Sequence, residues 1–227
     1  MELLQSTEFW VGLVKIIWIN IILSGDNAVV IALAARTLPP SQQRLAIFWG
    51  TAAAVVLRVA LTVVAVKLLE LPYLQIVGGL LLLWIGVQLL SDDNGGGGEQ
   101  KLDGNLMAAI RTILIADLVM SLDNVIGVAA AANGNVALLV IGLAIAIPIV
   151  IFGSTLMIKL MERFPVIVTV GAGLIGWVAG EALVSDKILR AGFPEHSVQF
   201  YLAAAFGAVF VIVTGKMMQQ RRAAKVA

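Results

Sequence analysis

Residues 10–35 read WVGLVKIIWINIILSGDNAVVIALAA, an apolar run that contains Ser24-Gly25-Asp26-Asn27 beyond its middle. As a helix, a run of this length is long enough to cross a hydrocarbon core of about 30 Å. An ionised aspartate inside such a span disfavours membrane insertion by about 3 kcal/mol, so it normally faces protein or water. Polar residues at this depth therefore indicate a function, or a specific polar partner elsewhere in the protein.

A second copy of this element lies 97 positions later, in residues 116–132. There ADLVMSLDNVIGVAAAA places Ser121-Leu122-Asp123-Asn124 in another apolar run, and downstream KLLELP is matched by KLMERFP. The two copies predict an internal repeat, with residues 10–90 as repeat 1 and residues 106–184 as repeat 2. A polar, glycine-rich linker, residues 91–105, separates them, and a last helix at 200–218 follows.

The composition is that of an integral membrane protein. Of 227 residues, 60% are hydrophobic and 13% are charged, whereas soluble domains carry about 25% charged residues. The net charge of +1 gives no reason to expect a nucleic-acid partner. With no cysteine in the chain, disulfides and thiolate metal ligands are excluded. We therefore expect one all-α, polytopic domain over residues 1–227, with the lipid bilayer as its surroundings.

Seven membrane spans are predicted, three in each repeat and one, at 200–218, after the second repeat. The turns between them are marked by prolines or by Asn-Gly. The predicted spans are 10–35, 45–69, 73–90, 106–132, 136–160, 166–184 and 200–218. Because three is odd, the second repeat must cross the membrane in the opposite sense to the first, and such inverted repeats place substrates near the midplane. The loops and span ends on the linker's side of the membrane carry ten basic residues, whereas those on the other side carry four. Because basic residues collect on the cytoplasmic side, this excess predicts an outside N-terminus and a cytoplasmic C-terminus.

The repeated aspartates are predicted to meet near the membrane midplane. Asp26 and Asp123 each lie roughly four residues past the centre of a span, which is about 6 Å at 1.5 Å per residue. Asp117, Ser121 and Asn124 fall on one helical face. The candidate metal ligands are Asp26, Asn27, Asp117, Asp123 and Asn124, and the accessory candidates are Asn20, Ser24, Ser121, Arg58 and Glu181.

These residues offer carboxylate, amide, hydroxyl and carbonyl oxygens, which suit Mg²⁺, Mn²⁺ or Ca²⁺ better than Zn²⁺ or Cu⁺. Oxygen ligands do not separate Mn²⁺ from Ca²⁺. Ser24-Gly25 has the composition of a helix kink, so local unwinding there would turn carboxylate and carbonyl groups toward one ion. The alternative is that the polar residues only join helices, with Arg58 as the partner of an aspartate. For Glu181 the alternatives are a gate, a proton carrier or an interfacial residue.

The segments SGDNAVVIA and DLVMSLDNVIGVAAA, at 24–32 and 117–131, resemble the TerC family, named for tellurium resistance. The likeness extends over residues 10–218 and is greatest to short bacterial members described as manganese exporters. It implies manganese efflux across a bacterial plasma membrane, with Asp26, Asn27, Asp123 and Asn124 as the family's motif residues and Asp117 preceding the second motif. It also implies a place among lysine-exporter-like carriers.

Several readings of function stay open. A membrane-embedded enzyme lacks support, because no protease motif is present and no cofactor is implied. A photoreceptor is disfavoured because Lys216 lies at the end of its span and few aromatic residues surround it. An exporter of amino acids is the main alternative, with Arg58 as the one candidate for a substrate carboxylate. Protons are the expected coupling ion, and a homo-oligomer stays open.

Overall fold

The chain is described by a computed structural model that places the backbone of residues 7–69, 71–91, 105–132, 136–194 and 197–226. Side chains are described within these ranges except at 7–9, 12, 15, 19–24, 63–69, 123–132, 136–139, 223, 225 and 226. The described residues form α-helices and no strand. The helices are α1 (Thr7–Ala35), α2 (Pro40–Leu69), α3 (Leu74–Ser91), α4 (Leu106–Ala132), α5 (Val136–Arg163), α6 (Val166–Ser185) and α7 (Val198–Val226).

The all-α class is confirmed, and most helix ends lie close to the predicted span ends. Two ends extend further than predicted. The second helix begins at Pro40 rather than at 45, because proline is well suited to the first turn of a helix, where its missing N–H is not needed. The last helix continues to Val226 rather than ending at 218, since glutamine, arginine and alanine keep a helix stable outside the membrane.

Five of the helices in the described part of the chain are long and apolar enough to cross a membrane: α2, α3, α5, α6 and α7. Within α1, the described residues add the shorter apolar helix Gly25–Ala35. The outer surface is correspondingly apolar, with Val56, Phe152 and Phe206 each more than 70% exposed. An apolar surface of this extent is stable against lipid and not against water. Spans at α1 and α4, and so the count of seven, stay predictions.

The helices pack as two groups, which we name the four-helix group (α1, α2, α4 and α5) and the three-helix group (α3, α6 and α7). Within the four-helix group, α1 lies along α5 and α2 lies along α4. Ile16 and Ala28 of α1 meet Gly142 and Gly153 of α5 in the same order along both helices, so the two helices run in the same direction.

The contact between α2 and α4 is of the same type as the contact between α1 and α5. A Cβ built on Gly50 of α2 would lie 2.8 Å from the Ile113 side chain of α4, and one built on Gly142 would collide with Ile16. The pairs α1–α5 and α2–α4 are therefore joined by the same type of isoleucine–glycine contact. The repeat predicted from the sequence would make these contacts equivalent, since it pairs residue 16 with 113 and residue 50 with 142.

In the three-helix group, α6 and α7 approach each other through glycine. A Cβ on Gly207 of α7 would overlap the carbonyl oxygen of Gly176, and one on Gly180 of α6 would overlap the carbonyl oxygen of Ala203. Small residues at such contacts let helix backbones come close, which is the main source of packing energy between helices in lipid. The α6–α7 contact is consequently one of backbone against backbone.

The end of α6 is joined to the start of α3 by a buried carboxylate. Asp186, 1% exposed, accepts hydrogen bonds from the backbone N–H groups of Tyr73 and Gln75, both at 3.2 Å. Tyr73 has a φ of 67°, in the left-handed region that non-glycine residues rarely adopt. The bond from its N–H helps to hold this turn, and Asp186 thereby caps α3 from another helix.

Candidate functional site

Arg58 of α2 forms a buried ion pair with Asp117 of α4, and Ser121 completes the cluster. The guanidinium donates from Nη2 to Asp117 Oδ1 and from Nε to Ser121 Oγ, the latter at 2.9 Å. Ser121 Oγ in turn donates to Asp117 Oδ2 at 3.2 Å. All three side chains are buried, and both oxygens of the carboxylate accept a hydrogen bond. This is a closed network in which each charge has its partner.

The spacing of buried residues along α2 places Arg58 on the face of this helix that contacts α4. Buried residues of α2 recur at helical spacing, at Thr51, Ala54, Arg58 and Leu61. Leu61 packs against Leu118 of α4, while Gly50 meets Ile113 near the other end of the contact. Apolar packing on both sides keeps water from the pair, so its charges interact more strongly than at a surface.

Asp26 and Asn27 lie on α1 near this pair. Asp26 is half-buried, and its Oδ1 accepts the backbone N–H of Asn27 at 2.8 Å. Helix α1 packs against α4, the helix that carries Asp117. Asn27 is 4% exposed and faces the interior. The first Asp-Asn motif therefore lies on a helix that packs directly against the helix of Asp117.

The expected unwinding at Ser24-Gly25 is wrong for this structure. The backbone of α1 is helical without interruption from Thr7 to Ala35, and α4 is helical from Leu106 to Ala132. A Cβ on Gly25 would meet nothing within 4 Å, so this glycine does not allow a close helix contact. Helical hydrogen bonds are strongly favoured where the surroundings offer the backbone no water, and this outweighs the weak helix propensity of Ser-Gly.

The second Asp-Asn motif lies partly outside the described residues. The side chains of Asp123 and Asn124 are not described, nor are those of Asn20 and Ser24, so their roles stay predictions. Among the described side chains, no group of three or more His, Cys, Asp and Glu residues is placed to hold a metal ion.

Glu181 lies toward α7. Its Oε1 accepts a hydrogen bond from Trp177 Nε1 at 2.8 Å, and the Trp177 ring centroid is 6.3 Å from that of Tyr201 on α7. Glu181 is half-buried and lies in the three-helix group, whereas the Arg58–Asp117 pair lies in the four-helix group.

Thr51 is a polar residue of this interface that sequence reasoning missed. It is 2% exposed, and its Oγ1 has no hydrogen-bond partner among the described residues. It lies seven residues before Arg58, and therefore on the same face of α2, which is the signal that could have identified it.

The fold and the cluster define a helical integral membrane protein that carries ionisable groups in its interior, between α1, α2 and α4. Residues 5–223 match the model of the "Integral membrane protein TerC family", and the chain therefore belongs to the TerC family. The match covers the Asp26 motif, the Arg58–Asp117 pair and the second Asp-Asn motif.

Curated relatives have the same membrane character. The "Uncharacterized membrane protein YjbE" of Bacillus subtilis is 43% identical over 213 residues, covering 94% of this chain and 97% of that protein. The "UPF0053 inner membrane protein YoaE" of Escherichia coli is 25% identical over 97% of this chain, which spans 45% of YoaE. The membrane protein YkoY of Bacillus subtilis is 26% identical over 81% of this chain and 65% of its own length. No solved structure matches the chain.

Proposed function

We propose that this TerC family protein is a secondary transporter that exports a divalent metal cation, most simply Mn²⁺, from a bacterial cell. The observation that carries the proposal is the position of Asp26. Its carboxylate lies half-buried in α1 of a membrane protein, and α1 packs against α4, whose Asp117 already has Arg58 as its counter-charge. Membrane-embedded carboxylates of this kind mark ion pathways. The choice of Mn²⁺ follows from the family resemblance and from the hard oxygen donors of the motifs.

Reciprocal packing of the two halves supports an inverted repeat. A two-fold axis in the membrane plane would exchange α1 with α4 and α2 with α5. It would therefore turn the Ile16–Gly142 contact into the Ile113–Gly50 contact, and both contacts are present. The same axis would bring Asp123 to a position equivalent to that of Asp26. Under this proposal the transported ion binds between the two motifs, where Asp26, Asn27, Asp123 and Asn124 supply oxygen ligands.

Export of a divalent cation needs an energy source. A membrane potential of 100 mV, negative inside, opposes the exit of two charges by about 4.6 kcal/mol. No nucleotide-binding loop is present, since NGGGGEQK in the linker does not fit the spacing GxxxxGK[ST]. Entry of two protons per metal ion would cancel the electrical term and leave the pH gradient to drive efflux. Proton-coupled exchange, from an N-out and C-in protein of the plasma membrane, is therefore the mechanism that we propose.

The alternative of amino-acid export receives less support. A substrate carboxylate would need a basic partner, and within the predicted spans Arg58 is the candidate. In the structure its Nε and Nη2 are bonded to Ser121 and Asp117, so the charge of Arg58 already has a buried counter-ion and a substrate carboxylate would compete with Asp117 for it. A cation needs no such exchange to interact with Asp26.

Transport by purified protein in liposomes tests the proposal. Accumulation of Mn²⁺, Mg²⁺, Ca²⁺ and Zn²⁺ would be measured with and without a pH gradient, and lysine would be included as the competing class of substrate. We expect saturable transport of a hard divalent ion, Mn²⁺ before Zn²⁺, with counter-movement of protons reported by a trapped pH dye. Transport of lysine without metal transport would reject the metal proposal, whereas metal transport that moves no protons would reject only the coupling.

A further inference from the structure

The two helix groups meet at the end of α1, on the linker's side of the molecule. A Cβ built on Gly171, near the start of α6, would lie 2.8 Å from Val29 Cγ1 and 3.2 Å from Leu33 Cδ1 of α1. Just beyond α1, Arg36 donates from Nη2 to the carbonyl oxygen of Leu89, 3.2 Å away in the last turn of α3. The end of α1 is therefore joined to both α6 and α3.

These contacts between groups differ in kind from the contacts inside the three-helix group. There, a Cβ on Gly79 of α3 would lie 2.8 Å from the carbonyl oxygen of Ala179 of α6. A Cβ on Gly180 of α6 would overlap the carbonyl oxygen of Ala203 of α7. Backbone packed on backbone has no rotamers with which to adapt, so we expect α3, α6 and α7 to move as one body. At the end of α1 the contact is made by side chains and one hydrogen bond, which can part and form again.

Within the four-helix group, the two halves of the chain are packed alike. The repeat predicted from the sequence pairs the contact of Ile16 with Gly142 to the contact of Ile113 with Gly50, and both contacts are present. An exchange of the two halves would leave these contacts as they are. This group is accordingly expected to keep its packing while the other group moves.

Across the groups, the two halves are packed differently. The same repeat pairs Gly171 with Gly78, and a Cβ on Gly78 of α3 would lie 2.7 Å from Val119 Cγ1 of α4. Val29, which meets Gly171, is paired with position 126, seven residues beyond Val119. Seven residues are two helical turns, or about 10 Å along the same helix face. Helix α6 therefore lies two turns further along α1 than α3 lies along α4.

We propose that the end of α1 is a gate on the linker's side, which is closed in this structure and opens in each transport cycle. Transporters with inverted repeats alternate between states by moving one bundle against the other, and the two repeats can exchange their arrangements. In the exchanged state α6 would withdraw from Val29, and the bond from Arg36 to α3 would break. This inference rests on the proposed function, since a gate serves transport.

Disulfide cross-linking is a specific test, because the chain contains no cysteine. Val29→Cys/Gly171→Cys joins the two groups across the gate, with one sulphur close to the place of Val29 Cγ1. Ala28→Cys/Gly153→Cys is the matched control, since it joins α1 to α5 inside the four-helix group. A Cβ on Gly153 would lie 3.5 Å from that of Ala28, within the range of native disulfides.

Mn²⁺ transport by liposomes would be measured before oxidation, after oxidation and after reduction, with loss of maleimide labelling as the measure of disulfide formation. Oxidation of the gate pair should lower transport by about tenfold or more, because the gate can no longer open, and reduction should restore it. The control pair should keep its rate within about twofold, because it joins helices that move together.

Wild-type transport by the fully oxidised gate pair would overturn the inference, and so would an equal loss in both pairs. If the pairs do not fold, the single variants Val29→Cys and Ala28→Cys decide. Mn²⁺ with a pH gradient should speed labelling of the first by a small thiol reagent about threefold or more, and leave the second unchanged. Labelling of the first at an unchanged rate would also overturn the gate. If wild-type protein transports no metal ion, the proposed function itself fails.

Discussion

At Asp117, both carboxylate oxygens accept hydrogen bonds from buried partners, whereas Asp26 accepts a bond from the N–H of the next residue in its own helix. The two aspartates therefore differ in what they can do. Asp117 belongs to a closed network that is costly to open, while Asp26 is half-buried and can accept further ligands. We accordingly expect Asp26 and its repeat equivalent Asp123 to carry the ion, and the Arg58–Asp117 pair to hold α2 to α4.

Asp26→Asn and Asp123→Asn should each reduce metal transport to near background. Each change removes one of the two negative charges that would balance a divalent ion, and keeps the volume of the side chain. Metal uptake by liposomes containing each variant measures the effect, with monodisperse elution in detergent as the check on folding. Glu162→Gln, which removes an exposed carboxylate at the end of α5, is the control and should transport normally. Wild-type rates for both aspartate variants would show that the motifs do not bind the ion.

Breaking the Arg58–Asp117 pair should destabilise the protein far more than removing it completely. Arg58→Met or Asp117→Leu leaves one buried charge without its partner, which typically lowers stability by about 3–5 kcal/mol. The double variant removes both charges, so its loss should be well below the sum of the single losses. Thermal or denaturant unfolding in detergent measures these values. Additive losses would mean that the two side chains are not energetically coupled.

At the scale of the helices, the ends of α3 and α6 depend on tertiary contacts. Leu74 begins α3 directly after a turn in which Tyr73 has a positive φ, and the described residues of that turn include no serine, threonine or asparagine to cap it. Asp186 supplies the missing acceptor from the end of α6. A negative charge at a helix N-terminus is also favourable to the helix dipole.

Asp186→Ala should therefore loosen the start of α3. The backbone N–H groups of Tyr73 and Gln75 would lose a buried acceptor, for a loss of about 1–3 kcal/mol. Hydrogen exchange at the start of α3 should become faster, while exchange in the middle of α5 stays unchanged. Lys187→Ala, at the neighbouring exposed position, is the matched control. Unchanged exchange in the Asp186 variant would show that this carboxylate does not cap α3.

Over the whole molecule, the residues proposed to bind the ion and the glycine-mediated backbone contacts lie in different groups. The Asp26 motif and the Arg58–Asp117 pair are in the four-helix group, whereas the glycine contacts between α6 and α7 are in the three-helix group. Three helix pairs have the relative directions that alternating successive helices would give: α2 runs with α4, α1 runs with α5, and α6 runs against α7. This alternation is what repeated membrane crossings require.

The orientation of the molecule can be tested directly. The excess of basic residues on the linker's side predicts an outside N-terminus and a cytoplasmic C-terminus. Reporter fusions at residue 227 and within 91–105 should both be active in the cytoplasm, and a fusion at 133–135 should be active outside. Fusions that place residue 227 outside would contradict the orientation, and a linker on the side opposite to the C-terminus would contradict the span count.

The sequence by itself determined the class and the approximate helix ends, because membrane helices are dictated by length and apolar composition. It also identified Asp26 and Asp117 as unusual, since charges in an apolar run stand out without any structural information. The family motif likewise depends on residues that are neighbours in the chain.

Only the tertiary structure decided which charges are partners. That Arg58 bonds to Asp117 and Ser121, 59 and 63 positions away, depends on the packing of α2 along α4, and Arg58 could equally have served Asp26 or a substrate. The tertiary structure also decided that α1 continues as a helix through Ser24-Gly25. The low-polarity surroundings favour helical hydrogen bonds over the local preference for a kink. Asp186 is the clearest case, because nothing near it in sequence indicates that it caps a helix more than a hundred residues earlier. A cap supplied by a distant residue depends on where two helix ends meet in space.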